Sequence, residues 1–316
     1  MSTLGIDVGT TGCKAAVFDR DGWLMSQAYG EYDLLYPSPG AVELDPALIW
    51  RRVAAVIREA VAASPADPVS AVSLSSIGCS LLAVDREDLP ITNCVVGMYD
   101  TRLVSDWERR LDWERIYEIT GQPPHPMFTI NRLLWLREVA PIAGVFRYLS
   151  LAEYLWTRLG ARAVTDRSLA STTALFDIRA GAWSAELLAL VDVDAEQLPP
   201  VAAAGTVIGE VGPEVQLETS LPVGTRLVLG GHDSACCALG AGLMRDGVAA
   251  DITGTCEEII VSGREALTTP EMRRAGIICE SHVYPGAFIS FACMVTAGSI
   301  LRWYRDSLCD REVSEA

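Results

Sequence analysis

Hydrophobic runs separated by short glycine turns open the chain and predict three strands, Thr3 to Val8, Cys13 to Phe18 and Trp23 to Tyr29. The first turn is Gly9-Thr10-Thr11-Gly12. The second is Asp19-Arg20-Asp21-Gly22, whose Asp-Gly pair between apolar runs is a strong hairpin signal. A helix then begins near Asp45-Pro46, with Asp as N-cap and Pro at the first helical position. Leu48, Ile49, Val53, Val56, Ile57 and Val61 fall on one face of it. A strand from Val69 to Ser75 follows. A meander, a helix and a further strand are the opening of an α/β domain with a mixed sheet.

From Asp100 to Leu190 the pattern is mainly helical, including Arg132 to Val139 and Leu151 to Leu159, with a turn around Gly181. Strand and helix then alternate again. Arg226 to Leu229 reads as a strand, Gly230-Gly231-His232 as a turn and Asp233 to Gly242 as a helix. Ala249 to Ile252 is a strand and Gly254-Thr255 a turn. Glycine where strand meets helix, at both ends of the chain, is where a binding site is expected. The uncharged stretch from Val283 to Leu301 approaches membrane-spanning length, but Pro285, Gly286 and Gly298 interrupt it, which predicts a buried strand and a helix start instead.

Composition narrows the function classes. Half of the 316 residues are hydrophobic and 21% are charged, the balance of a folded globular protein. A net charge of −16 without a basic stripe argues against nucleic acid as partner. A phosphate-bearing ligand then needs a local device: backbone N–H groups, a helix N-terminus, a lysine or a metal ion. The nine cysteines form no Cys-x-x-Cys pair and no Cys/His cluster at zinc spacing, so they read as reduced, mostly buried thiols. The chain opens on a strand rather than a signal peptide, and the expectation is a soluble, cytoplasmic protein with no membrane partner.

Three segments carry candidate chemistry. In Gly5-Ile6-Asp7-Val8-Gly9-Thr10-Thr11-Gly12-Cys13-Lys14, an acidic strand enters a Gly/Thr turn and a second strand leaves with a lysine. Glycine lets backbone approach phosphate oxygens, hydroxyls and N–H groups donate to them, and the acid can hold Mg²⁺ through water. The alternative is a plain hairpin using glycine for its positive φ. Gly230-Gly231-His232-Asp233-Ser234 places an aspartate at a helix N-terminus, positioned as a general base toward a bound hydroxyl and kept ionised by the helix dipole. An ordinary N-cap is the alternative there. Asp251-Ile252-Thr253-Gly254-Thr255-Cys256-Glu257 can grip a second side of a triphosphate through Thr255. A Ser/His/Asp hydrolase is disfavoured, because sequence neighbours cannot face one another in the geometry a triad needs and no Gly-x-Ser-x-Gly elbow is present.

Together and in this order, the three segments resemble the two phosphate loops and the catalytic aspartate segment of FGGY carbohydrate kinases. Further stretches agree: Gly40 to Pro46 with Trp50, Asp100-Thr101-Arg102, Arg132-Leu133-Leu134-Trp135, Thr165 to Thr172 with Leu175-Phe176-Asp177, Leu221 to Gly224, and Ala297 to Trp303. The resemblance implies an α/β fold of the ribonuclease H-like, actin/hexokinase type, divided into residues 1–245 and the beginning of a second domain at 246–316. It implies ATP and Mg²⁺ as cofactors, a sugar or polyol as substrate, and is compatible with a homodimer. Asp233 would take the proton from the attacking hydroxyl. Asp7, Gly9, Thr10, Thr11, Lys14, Gly254 and Thr255 would surround the nucleotide phosphates, with Asp7 ordering Mg²⁺ through water. Gly78, Cys79, Asp100 and Arg102 would bind the sugar beside Asp233.

The chain also departs from the family pattern. Xylulokinase-like members have Gly-Gln-Met-His-Gly where this chain has Ser76-Ile77-Gly78-Cys79-Ser80, so the histidine is missing and D-xylulose is disfavoured as substrate. The aspartate segment reads GGHD where GGGD is usual, which resembles the fuculokinase-like members. Family members continue through a Gly-rich adenosine motif, whereas this sequence stops at Ala316. The expectation is therefore an incomplete second domain with exposed strands and apolar faces, and impaired activity. A non-catalytic sugar- or nucleotide-binding remnant of the fold is the alternative. An actin-like ATPase is disfavoured by Asp100-Thr101-Arg102 and the GGHD helix.

Overall fold

The computed structural model describes the chain except residues 39, 65–66, 98–100, 139–140, 254–256, 295–296 and 309–316. Three strands, β1 (Ser2–Val8), β2 (Gly12–Phe18) and β3 (Leu24–Glu31), form the expected meander. With β4 (Val69–Ser76), β5 (Val207–Glu210) and β6 (Arg226–His232) they build a six-stranded sheet in the order β5-β6-β4-β1-β2-β3. β1 and β6 both run parallel to the central β4, while β2, β3 and β5 are antiparallel to their neighbours.

The period of two decides what each face of this sheet does. On β1, Leu4, Ile6 and Val8 are buried. They pack with Val53, Val56 and Ile57 of helix α1 (Pro46–Ala62) and with Leu155 and Trp156 of a second helix, Leu151–Arg158. Gly5 and Asp7 fall on the opposite face with Lys14 and Ala16 of β2 and Ser73 and Ser75 of β4. Those side chains are small or polar, so that face stays open. α1 starts as its sequence dictates: Asp45 Oδ1 accepts from the Ala47 and Leu48 N–H groups at 2.8 and 3.1 Å, a cap that stabilises by about 1 kcal/mol.

A second sheet, all antiparallel, comprises β7 (Ala249–Thr253), β8 (Glu257–Gly263), β9 (Ile278–Ser281) and β10 (Phe288–Met294) in the order β7-β8-β10-β9. Its Ile260, Ile278, Ile289 and Phe291 join one core with the helical middle of the chain. The uncharged stretch resolves into β10 and a helix, Gly298–Leu308, and no helix among the described residues is long and apolar enough to cross a membrane.

One expectation is corrected. Gly230-Gly231-His232 is not a turn. β6 runs through it to His232, with an irregularity in register between Val228 and Gly231; Gly230 lets the strand lie against Leu74 of β4, and Gly231 lets it lie against Ser168 and Val283, where a side chain could not. Of the described thiols, Cys13, Cys79, Cys94 and Cys279 are buried and Cys236 half-buried, while Cys237 and Cys293 are exposed on the walls of cavities.

Candidate active site

The open face of the first sheet is the floor of a cleft of about 700 Å³. Asp7, Lys14, Ser73 and Ser75 line it from the sheet. Asp233, Ser234, Cys236 and Cys237 line it from helix α2 (Asp233–Gly240), and Ile252 and Glu258 from the β7–β8 hairpin. Asp7 and Lys14 are direct cross-strand partners, and Asp7 Oδ1 accepts from the Ser75 hydroxyl at 2.8 Å. A second, narrower pocket of about 340 Å³ adjoins the cleft. It is bounded by Gly78, Cys79, His125 and Phe128, by Ile278, Glu280 and Phe291, and again by Asp233, Ser234 and Glu258. Asp233 thus stands on the wall that the two cavities share.

The first glycine turn is held from behind. Gly9 N–H donates to the Gly12 carbonyl at 2.9 Å, closing the hairpin. The phenolic oxygen of buried Tyr32 lies 2.6 Å from the Gly9 carbonyl and 2.9 Å from that of Gly12, while its own N–H donates to the Thr11 carbonyl at 3.2 Å. Thr10 and Thr11 are exposed. The positive-φ alternative for these glycines does not hold, since neither has a positive φ. At Gly12 the reason is space, because a Cβ there would lie 2.6 Å from the Tyr29 hydroxyl and 2.9 Å from the Gly30 carbonyl.

Behind Asp233 lies a buried polar network. Asp166 caps the short helix Arg167–Ser171. Its Oδ1 accepts from Leu169 N–H at 2.9 Å, and its Oδ2 from the N–H and hydroxyl of Ser168 at 2.8 and 2.7 Å. The Ser168 hydroxyl in turn accepts from His232 N–H at 2.9 Å, fixing the backbone one residue before Asp233. The His232 ring sits between two carboxylates, with Nδ1 3.0 Å from Glu280 Oε2 and Nε2 3.1 Å from Asp233 Oδ1. Burial opposes charge on this ring, but Glu280, Asp233 and Glu258 outweigh it and raise its pKa to about 10. Burial likewise pushes the Asp233 carboxyl up, against the His232 charge and the Ser234 N–H, which donates to Oδ1 at 2.7 Å. His232, rather than the helix dipole alone, is thus what favours an ionised Asp233. Glu258 is also raised by burial, and it accepts from the Ser234 hydroxyl at 2.8 Å.

Of the residues expected from sequence, the structure brings Asp7, Lys14 and Asp233 to one cleft, with Gly9, Thr10 and Thr11 in the turn that follows Asp7's strand. It places Gly78 and Cys79 on the inner pocket. Cys79 is in the left-handed region (φ 55), where its N–H donates to Thr172 Oγ1 at 2.9 Å and its thiol to the Thr172 carbonyl at 3.3 Å. Asp100, Gly254 and Thr255 lie outside the described residues. Arg102 is described only as backbone of the helix Thr101–Arg110. Sequence reasoning missed Ser75, Tyr32, Glu258 and Glu280. The signal for Glu280 was present, a lone acid in the apolar run Ile277-Ile278-Cys279. Among the described residues no group of three or more His, Cys, Asp and Glu side chains is arranged to hold a metal ion.

A mixed sheet whose open face forms one wall of a cleft and whose central strands end in an Asp/Gly turn and an Asp-led helix is the actin/hexokinase-type arrangement. The profile of the FGGY family of carbohydrate kinases, N-terminal domain, matches residues 2–240, and the chain belongs to that family. It is 27% identical over 326 residues to a gluconokinase of Bacillus subtilis (strain 168), covering 99% of this chain and 61% of that protein. It is 30% identical over 322 residues to an autoinducer-2 kinase of Yersinia enterocolitica, covering 98% and 60%. Among solved structures, a ligand-bound xylulose kinase from Lactobacillus acidophilus superposes with a TM-score of 0.90 at 26% identity, over 98% of this chain and 63% of that one. A gluconate kinase from the same organism gives 0.89 at 26%, with the same coverage. The chain therefore spans about 61% of the length of the gluconokinase it matches. These relatives are not fuculokinases, the direction in which the GGHD segment had pointed.

Proposed function

We propose that the chain carries the sugar-binding and phosphate-binding elements of an ATP-dependent carbohydrate kinase, with Asp233 as the general base. The observation that supports this most is the position of Asp233 between a polar cleft and an inner pocket. A hydroxyl held in the pocket and a phosphoryl group held in the cleft would meet at this carboxylate. Its burial-raised pKa suits a group that must accept a proton near neutral pH.

The residues present fit Mg²⁺ and a nucleotide. Asp7 and Ser75 offer hard oxygen donors, and Lys14 lies directly across from Asp7 as a counter-charge for phosphate. Mg²⁺ keeps several waters and uses phosphate oxygens as ligands, so one or two protein oxygens suffice to hold it. ATP would supply the transferable phosphoryl group and Mg²⁺ would neutralise its oxygens. On the protein's side, Thr10, Thr11 and Lys14 would orient phosphate, Asp7 would hold the ion through water, and Gly9, Gly254 and Thr255 would complete the phosphate contacts. Gly78, Cys79, Asp100 and Arg102 bind the acceptor. The division into residues 1–245 and 246–316, and a homodimer, belong to this proposal. The acceptor is a sugar, polyol or sugar acid.

The test is an ADP-release screen over ketoses, polyols and aldonates, paired with calorimetric sugar binding, on the wild-type chain and on Asp233→Asn. The expected result is turnover of one sugar class, lowered on the order of 10² to 10⁴-fold in the Asn variant with sugar affinity retained. Sugar binding without turnover would favour a binding protein of the same fold. An Asn variant at full rate would remove Asp233 from its role.

A further inference from the structure

The GGHD segment differs from the usual GGGD by one residue, and that residue is wired across the molecule. Glu280, 2% exposed, belongs to β9 of the second sheet, whereas His232 ends β6 of the first. Glu280 Oε2 faces His232 Nδ1, and Glu280 Oε1 accepts from the buried Gln122 side chain at 3.2 Å. Gln122 also donates to the Ser171 carbonyl at 3.0 Å, so the glutamate is anchored independently of the histidine. A neutral imidazole has one N–H and can donate to only one carboxylate; the cation donates to both. The groups facing the ring are Asp233 on its own helix, Glu280 on β9, Glu258 on β8, and Asp166 behind Ser168, with Gly78 and Thr172 closing the apolar side. A Cβ at Gly78 would lie 2.7 Å from His232 Nε2, so glycine there is what admits the ring.

Both described donors to Asp233, the His232 ring and the Ser234 N–H, converge on the same oxygen, Oδ1. Building on the kinase reading, we propose that His232 is a positioning residue. Held as an imidazolium by Glu280, it pins Asp233 Oδ1 and keeps the carboxylate ionised, so that Oδ2 is the oxygen that takes the sugar proton. In that step the hydroxyl O–H bond breaks, its proton goes to Oδ2, the sugar oxygen bonds to the transferred phosphorus, and the bond from phosphorus to the nucleotide's bridging oxygen breaks. His232 keeps both ring protons throughout. It tunes the base and exchanges nothing.

The chain has three histidines, His125, His232 and His282, so ¹⁵N-histidine labelling gives an NMR titration in which His232 can be assigned by substitution. The expected result is a His232 ring that stays doubly protonated until about pH 10 and whose midpoint falls by more than one pH unit in Glu280→Gln. A ring that titrates near the ordinary 6.5, or that ignores Glu280→Gln, overturns the proposal whether or not the chain is a kinase. The second measurement is the pH–rate profile on the sugar found in the screen. His232→Gln should move the acidic limb of kcat/KM to higher pH by about one unit, because a buried carboxylate that loses its cation binds its proton more tightly. The loss should therefore be about tenfold on that limb and shrink at alkaline pH. Glu280→Gln should give a smaller shift of the same sign. A uniform loss at every pH, with the limb unmoved, assigns His232 a purely structural role and ends the proposal. If no sugar is turned over, the kinase reading fails and takes the assignment of Oδ2 with it, while the titration still reports whether the clamped cation exists.

Discussion

The turn Gly9–Gly12 and the segment Gly230–Gly231 stand at the ends of β1 and β6, the two strands that flank β4 in parallel, each beside an aspartate, Asp7 or Asp233, that lines one cleft. They use glycine differently. In the turn, a Cβ at Gly9 would meet nothing closer than the Gly12 carbonyl at 3.4 Å, and both threonines are exposed. At Gly230 a Cβ would lie 2.0 Å from the Leu74 carbonyl, and at Gly231 2.5 Å from Ser168 Oγ. The turn is open at Gly9 and its threonines, clasped from beneath by Tyr32 and packed against Tyr29 and Gly30 only where Gly12 enters β2. The GGHD segment is packed into backbone on one side and into a buried network on the other. A base that must sit within a few tenths of an ångström of its proton gains from the second kind of support, whereas phosphate-facing hydroxyls need only be presented.

The sharpest way to break this contrast is one alanine in each segment. Gly230→Ala drives a methyl into main chain that cannot rotate away, and the expected loss is more than about 3 kcal/mol by urea denaturation, or failure to fold. Gly9→Ala, at ordinary van der Waals distance and without a positive φ, should change stability by under about 0.5 kcal/mol. Equal costs would mean that the two segments are supported alike.

The His232–Glu280 pair adds a pH dependence that the turn lacks. Because the folded pKa of His232 is raised, to about 10, the stability the pair contributes is fully present below the unfolded value of 6.5 and is lost as pH rises through 10. Glu280→Gln should be less stable than wild type by about 3 kcal/mol near pH 6, with the gap closing above pH 9. Melting midpoints measured across that range check it. A gap that is constant with pH would mean that the pair carries no net charge coupling.

Ser168→Ala comes next. It leaves the part-buried His232 N–H without its acceptor and removes one donor from the fully buried Asp166, so about 2 kcal/mol is expected. Amide exchange at His232 should accelerate more than exchange elsewhere in β6. If only global stability moves, the serine is ordinary core packing.

These effects also show which parts of the molecule were legible in the sequence. The meander, α1 with its Asp45 cap, and the order of strand, glycine and aspartate are local patterns, and each was readable from neighbours in the chain. The floor of the cleft was legible in principle, since Gly5, Asp7, Lys14, Ala16, Ser73 and Ser75 are the residues that alternation leaves on one face. The lone acid Glu280 could be noticed, but its pairing with His232 could not, because it meets the ring across 48 residues of sequence and from the other sheet, and Gln122 touches only Glu280 and Ser171. GGHD was misread as a turn for a related reason. Glycine in a strand looks like a break until the partner backbone that it accommodates is known.

Tyr32→Phe is the smallest and most local test. The substitution keeps the ring in the core and keeps the Tyr32 N–H on the Thr11 carbonyl, and it removes only the hydroxyl that lies against the Gly9 and Gly12 carbonyls. Gly12's carbonyl still accepts from Gly9 N–H, so the hairpin closes without the phenol. What is lost is one hydrogen bond of a buried donor to carbonyls that water can partly reach, and the expected cost is about 1 kcal/mol. Faster amide exchange should be confined to residues 9–12. Were the loss several kcal/mol, or spread along β1 and β2, the turn would be as deeply wired as GGHD, and the division between a presented surface and a supported base would not stand.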